Sequence, residues 1–351
     1  MESMKNAISK VVGGENLTEA EAEAAMKFIM SGGATQAQIS SFLTALRMKG
    51  ETIEEITAFA RVMREFAARI TPKVDNILVD TCGTGGDKVK TFNISTTAMF
   101  VAAGAGIRIA KHGNRSVTSK AGSADVVEAM GVRIDLPPGE VQRCIETVGI
   151  GFMFAPRFHG AMKHAVGPRR EMGIRTIFNI LGPLTNPASA QGQVMGVYDG
   201  ALTEKLAQVL ARLGCKRAMV VYGLDGIDEV STLGETKISE LNDSKVSTYT
   251  ISPEEFGLAR TRSEAIAGKD LAENARMLLK VLRGEKGPRR DVVVLNAAAA
   301  IVVGGKAHDL HEGIAVAVDA IDSGSAYEKL VQLIEATSGN LDKLKALEAT
   351  I

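Results

Sequence analysis

Asp80-Thr81-Cys82-Gly83-Thr84-Gly85-Gly86-Asp87 places three glycines within four residues, directly behind the apolar run Ile77-Leu78-Val79. Backbone amides freed of side chains can turn toward a phosphate, and a loop leaving the C-terminal end of a parallel strand is where ligands bind. A plain glycine-rich turn would look the same in isolation. The loop is neither a Walker motif, since no Gly-Lys-Ser/Thr follows, nor a Rossmann fingerprint. Next comes Thr91-Phe92-Asn93-Ile94-Ser95-Thr96-Thr97, four hydroxyls and an amide ahead of a helix. One of these groups is expected to cap that helix, and the surplus to meet phosphate oxygens or a metal.

Lys111-His112-Gly113-Asn114-Arg115-Ser116-Val117-Thr118-Ser119-Lys120 gathers three cations behind a second apolar run, Ile107 to Ala110. Two consecutive strand ends with anion-binding groups suggest one shared polyanion. Asp225-Gly226-Ile227-Asp228-Glu229, after a run from Ala218 to Tyr222, sets carboxylates beyond another strand end. A surface acidic turn is the ordinary reading of such a pair, but beside phosphate loops it suits Mg²⁺, which takes one or two carboxylates and keeps water and phosphate oxygens. Arg169-Arg170 offers a bidentate guanidinium for a carboxylate substrate, or simply a helix-surface partner for Glu171. His112, His159 and His164 are assigned no catalytic role.

These loops need elements to hold them. Three capping boxes, Thr18 with Glu21, Thr35 with Gln38 and Thr52 with Glu55, predict helices over the first seventy residues. Ile39, Phe42, Leu43 and Leu46 then share one helical face, as do Ile53, Ile56, Phe59, Ala60 and Met63. Beyond Thr71-Pro72, strand-length runs (77–79, 107–110, 194–198, 218–222) alternate with helical stretches (96–104, 123–130, 138–147, 202–213), which predicts a mainly parallel, helix-covered sheet. From about Asp270 the chain is helical again.

The bulk properties exclude several classes. With 351 residues and 45% hydrophobic content the chain suits two domains with a sizeable core. Zero formal net charge gives no global attraction for nucleic acid or an acidic membrane, so any polyanion site is built locally. Cys82, Cys144 and Cys215 are odd in number and lack metal-ligand spacing, as in a reducing compartment. The N-terminus shows no signal-peptide core, and the apolar run Val292 to Val303, interrupted by Asn296, is too short to span a bilayer. A cytoplasmic location is expected.

Taken in order, Gly83-Thr84-Gly85-Gly86-Asp87, Thr91 to Thr96, Lys111 to Arg115 and Asn179-Ile180-Leu181-Gly182-Pro183-Leu184-Thr185-Asn186-Pro187 resemble the anthranilate phosphoribosyltransferase family over nearly the whole chain. The resemblance implies an α/β fold of the nucleoside-phosphorylase type: a small N-terminal all-α domain (1–71, joined by roughly 165–187) hinged to a large α/β domain (72–351) with a mainly parallel sheet. It implies magnesium-dependent transfer of the phosphoribosyl group of 5-phosphoribosyl-1-pyrophosphate (PRPP) to anthranilate, in tryptophan biosynthesis, by a homodimer paired through the small domain. PRPP would be lined by Gly83, Gly86, Asp87, Thr91, Asn93, Ile94, Ser95, Thr96, Lys111, His112, Gly113, Asn114, Arg115, Ser116, Val117, Thr118, Ser119 and Ser123. Magnesium would be held by Ser95, Asp228 and Glu229, and anthranilate would meet Gly83, Asn114 and Arg169, with Arg169 at its carboxylate. Lys111, Asn114 and Arg169 are the expected catalytic groups. The sequence departs from the family at Lys88-Val89-Lys90, where small residues are usual, and at Gly160 in place of Pro.

Two other readings remain at this point. A pyrimidine nucleoside phosphorylase of the same fold would use phosphate, for which the basic stretch and acidic pair are less suited. A non-catalytic homologue that binds nucleic acid would need a basic surface, which zero net charge does not supply.

Overall fold

The computed structural model describes residues 2–86, 89–116 and 121–351. Four helices open the chain: α1 (Glu2–Val12), α2 (Glu19–Met30), α3 (Gln36–Lys49) and α4 (Ile53–Glu65). Each of the last three begins at a reciprocal capping box, on Thr18, Thr35 and Thr52, as the spacing predicts. In the third box Glu55 is fully buried, accepting also from Leu17 N at 2.9 Å and from Lys49 Nζ at 2.9 Å. One buried carboxylate thereby ties α3 and α4 to the segment leading into α2.

The sheet follows: β1 (Leu78–Asp80), α5 (Ile94–Gly104), β2 (Arg108–Gly113), α6 (Ser123–Ala129), α7 (Pro138–Thr147), β3 (Ile150–Phe154), α8 (Ala155–Phe158), α9 (Lys163–Met172), α10 (Phe178–Leu184), β4 (Gly192–Gly196), α11 (Leu202–Arg212) and β5 (Arg217–Gly223). A hairpin of β6 (Thr236–Asn242) and β7 (Lys245–Ile251) ends the sheet, and helices α12 (Ser263–Ile266), α13 (Leu271–Leu282), α14 (Pro288–Val303), α15 (Leu310–Asp322), α16 (Ser325–Ala336) and α17 (Leu341–Glu348) complete the chain. Strand order is β3-β2-β1-β4-β5-β6-β7. The first five are mutually parallel; β6 and β7 pair antiparallel. Val79 of the central strand pairs with Ile109 on one side and Gly192 on the other.

Helices α5 and α14 cover one face and bury almost every side chain they carry, which makes them the centre of the larger apolar cluster. The bundle's apolar cluster runs from α1–α4 through α10 and α11 onto Met195, Val197 and Val220 at the other face. Helix α9 packs on α2 and α3, and α10 on α4. Arg64, in the last turn of α4, donates through Nε to Leu184 O (2.8 Å) and through Nη1 to Leu213 O (3.1 Å), at the ends of α10 and α11. Among the described residues no helix is long and apolar enough to cross a membrane.

The alternation of runs and helices locates β1, β2, β4 and β5 but does not reveal β3 or the hairpin. β3 follows α7 with only Val148-Gly149 between them, so the single glycine stop, Gly149 at φ 92°, is all that separates it from the helix. The hairpin turns at Asp243 and Ser244, both at positive φ (43° and 73°), in place of the Asn-Gly or Asp-Gly pair that usually marks such turns.

Candidate active site

The chain reverses direction across the sheet between β1 and β4, the topological switch point where α/β sheets bind ligands. A cleft opens there with a volume of about 840 Å³, its open mouth included. It is lined by the glycine loop after β1 (Gly83, Gly85), the start of α5 (Asn93, Ile94, Ser95, Thr96) with Thr91 before it, and the end of β2 with its loop (Lys111, His112, Gly113, Asn114). Ser123 and the Asp228-Glu229 pair beyond β5 complete the wall. Segments more than a hundred residues apart thus converge, placing cationic and acidic groups side by side in a chain of zero net charge.

The acidic pair is bonded into the other segments. Gly85 N donates to Asp228 Oδ2 at 3.0 Å, and Ser95 N donates to Glu229 Oε1 at 3.1 Å. A Cβ on Gly83 would stand 2.9 Å from Asp228 Oδ2, so the carboxylate comes this close only because residue 83 is glycine. Burial pushes the Asp228 carboxyl above its usual range, partly offset by the Gly85 amide, Lys111 and Arg175. A divalent cation would oppose the same penalty. Among the described residues no three His, Cys, Asp or Glu side chains form a metal cage. Two carboxylates and the Ser95 hydroxyl therefore suit Mg²⁺ completed by water and phosphate oxygens.

The cap of α5 departs from expectation. Asn93 is the N-cap residue and makes no side-chain cap bond. Its Nδ2 donates to Ala121 O at 3.2 Å, while its buried Oδ1 has no partner among the described residues. Glu229, from a distant loop, takes the first-turn amide instead. None of the local hydroxyls is needed for capping.

Lys111 is almost fully buried, and its ammonium donates to Thr81 O and, at 3.2 Å, to Ser95 Oγ. Asp80 is wholly buried below it, accepting from Asn186 Nδ2 (2.7 Å), His112 N (3.2 Å) and Cys82 Sγ (3.2 Å). Burial raises the Asp80 carboxyl, and the positive charge of Lys111 acts in the opposite direction. Asn186 also donates to Ala110 O at 2.9 Å, which ties the Asn179 to Pro187 motif to the strand ends.

His112 and His159 lie with ring centroids 5.0 Å apart, each with a buried Nε2 that makes no bond among the described residues. His112 Nδ1 is 3.2 Å from Gly182 O. Burial drives the His112 imidazole down to about 3, helped by its neighbour His159, which burial lowers to about 4. Both are neutral when folded, whereas an unfolded chain protonates them near 6.5, so the unfolded state binds more protons between these values. Stability should fall as pH drops from 6.5 toward 4, and His112→Gln should flatten that limb. Tm measured across this range checks it; an unchanged slope would mean the pair does not set the acid limb.

Several expected site residues are not among those lining the cleft. Gly86 is one, its carbonyl accepting from Arg175, whose guanidinium stacks 4.3 Å from the Tyr198 ring centroid. Arg115 turns back onto α6, at 2.8 Å from both Asp125 and Glu128, so its charge is already paired. Ser116 N donates to Asp125 Oδ2 at 3.1 Å, and Ser116 does not line the cleft. Arg169, half-buried on α9, does not line the cleft either; its guanidinium lies 5.2 Å from the Phe178 ring centroid. Asp87, Val117, Thr118 and Ser119 fall outside the described residues. Sequence reasoning passed over Lys90, Cys82, Phe92, Ala121 and Gly122, which also line the cleft. Lys90 carried a signal, as a cation where the family has small residues; Arg175 carried none.

Residues 75–327 match the glycosyl transferase family, a/b domain, and residues 5–67 match the glycosyl transferase family, helical bundle domain. The anthranilate phosphoribosyltransferase of Acetivibrio thermocellus is 57% identical over 95% of this chain and 97% of its own. The crystal structure of the Thermus thermophilus enzyme of that name superposes with a TM-score of 0.90 at 43% identity, covering 95% of this chain and 99% of that one. The Saccharomyces cerevisiae enzyme in complex with PRPP and Mg superposes at 0.87 with 29% identity, covering 96% and 98%. A helical bundle joined to a switch-point α/β sheet is the pairing of domains that these two glycosyl transferase family models describe. The chain belongs to the anthranilate phosphoribosyltransferase family and is an enzyme of it.

Proposed function

We propose that this cleft transfers the phosphoribosyl group of PRPP to the amine of anthranilate, giving N-(5-phosphoribosyl)anthranilate and pyrophosphate for tryptophan biosynthesis. The observation that carries the reading is the meeting of Gly85, Lys111 and Asp228 on one cleft wall. The glycine loop, Thr91, the first turn of α5, the β2 loop and Ser123 would hold PRPP. Ser95, Asp228 and Glu229 would hold Mg²⁺, which when bound supplies positive charge to the departing pyrophosphate. Lys111 adds a fixed cation at the same end. Asn114 lines the cleft and with Gly83 would orient the aromatic amine toward the ribose C1, a proximity effect.

Arg169 would meet the anthranilate carboxylate. Burial lowers its guanidinium, and it has no carboxylate partner among the described residues, so it is a desolvated cation suited to an anionic ligand. A homodimer in the cytoplasm, as the family resemblance implies, is part of the same reading.

The test is the loss of anthranilate fluorescence on mixing chain, PRPP and Mg²⁺, each omitted in turn. Phosphorolysis of thymidine or uridine without anthranilate turnover would instead make the chain a nucleoside phosphorylase, and a salt-sensitive DNA shift without turnover a nucleic-acid binder. In the same assay Arg169→Ala should raise the KM for anthranilate roughly 10–100-fold, as expected for losing a charge-assisted pair, and leave that for PRPP nearly unaltered. Equal loss for both substrates would make Arg169 a structural residue.

A further inference from the structure

Asn296 is the polar interruption in an otherwise apolar stretch of α14, from Val292 to Val303, and is only 3% exposed. A buried amide in so apolar a stretch calls for an explanation. Its Oδ1 accepts from Val230 N at 2.9 Å, and its Nδ2 donates to Val230 O at 2.8 Å and to Val292 O at 2.8 Å. The side chain thus satisfies both main-chain groups of the residue directly after Glu229, as a neighbouring strand would. It also borders a small chamber that it shares with Ser95, Gly83 and Glu229. From the other side the end of β4 presses on the same segment: a Cβ at Gly196 would lie 1.5 Å from Asp228 O. Residues 228–230 are therefore held between α14 and β4.

We propose that Asn296 is the positioning residue of the acidic pair, setting where Asp228 and Glu229 present their oxygens and so how tightly the site takes a divalent cation. This rests on the reading that these two carboxylates hold Mg²⁺. Partners that orient metal ligands typically change affinity roughly 10–100-fold when removed.

The experiment titrates Mn²⁺ with pyrophosphate present, following unbound Mn²⁺ by electron paramagnetic resonance, alongside thermal denaturation of each variant. Asn296→Ala should weaken Mn²⁺ binding about tenfold or more. Asn296→Asp keeps the acceptor for Val230 N but loses both donated bonds. Its added negative charge alone would tighten a cation, so weaker binding in this variant reports geometry. It decides the matter if Asn296→Ala does not fold. Thr337→Val, at a buried polar residue of similar exposure below α16, should lower Tm without moving the titration. Mn²⁺ binding as in the wild type by the folded Asn296 variants overturns the inference while leaving the metal reading intact. A wild type that binds no Mn²⁺ overturns both.

Discussion

Asp228→Asn combined with Glu229→Gln should lower kcat/KM for PRPP by roughly a thousandfold at limiting Mg²⁺, the scale expected when preorganised charge at a developing anion is lost. The substitutions nearly preserve shape. Asn and Gln can still accept from Gly85 N and Ser95 N, the bonds that tie the pair to the glycine loop and to α5. Burial already disfavours the ionised form of Asp228, so a neutral amide there should leave Tm unchanged or raise it. Part of the rate should return at high Mg²⁺, because phosphate oxygens and water remain as ligands. Initial rates across a magnesium series, read beside Tm, check this. Wild-type magnesium dependence in the folded double variant would reject Asp228 and Glu229 as ligands.

Lys111→Met should have an effect of similar size for two separable reasons. Removing the ammonium deletes a positive charge from the pyrophosphate end of the cleft and costs roughly a hundredfold or more in kcat. It also leaves Asp80 buried without its main opposing charge, which should cost about 3 kcal/mol of stability, the low end for an uncompensated buried carboxylate because the ammonium bonds to Thr81 and Ser95 rather than to Asp80 itself. Adding Asp80→Asn separates the two effects. Its amide oxygen can keep one of the two bonds that Asp80 accepts on separate oxygens, from His112 N or from Asn186 Nδ2, and no charge remains to compensate. The double variant should regain part of the lost Tm and none of the lost rate. Recovery of activity along with stability would mean that Lys111 matters only as a counter-charge.

Features carried by contiguous residues were legible in the sequence. The capping boxes at Thr18, Thr35 and Thr52 are four-residue patterns, and all three form. The glycine loop, the basic run and the acidic pair each follow a recognisable apolar run, so their arrival at neighbouring strand ends can be argued without coordinates. What was hidden depends on residues far apart in the chain. Glu229 caps α5 across 134 residues, which no local pattern announces, so sequence logic assigns the cap to nearby hydroxyls. Arg115 sits within the basic run, but the turn of α6 brings Asp125 and Glu128 onto it and spends its charge there. Arg175 reaches Gly86 across 89 residues from a segment with no distinguishing composition. Asn296 was visible only as a break in an apolar run; its meaning lies in Val230, 66 residues away.

Arg64 has a mechanical consequence. Its guanidinium grips the carbonyls that end two helices, so it works as a rivet between the bundle and the layer beneath. Since α10 travels with the bundle, swinging one layer over the other must either tear out the charged hydrogen bond to Leu213 O, at about 1.5–3 kcal/mol, or turn around it. Turning is cheaper, which makes the end of α4 a fulcrum and gives the longest lever arm to the parts of the bundle farthest from it.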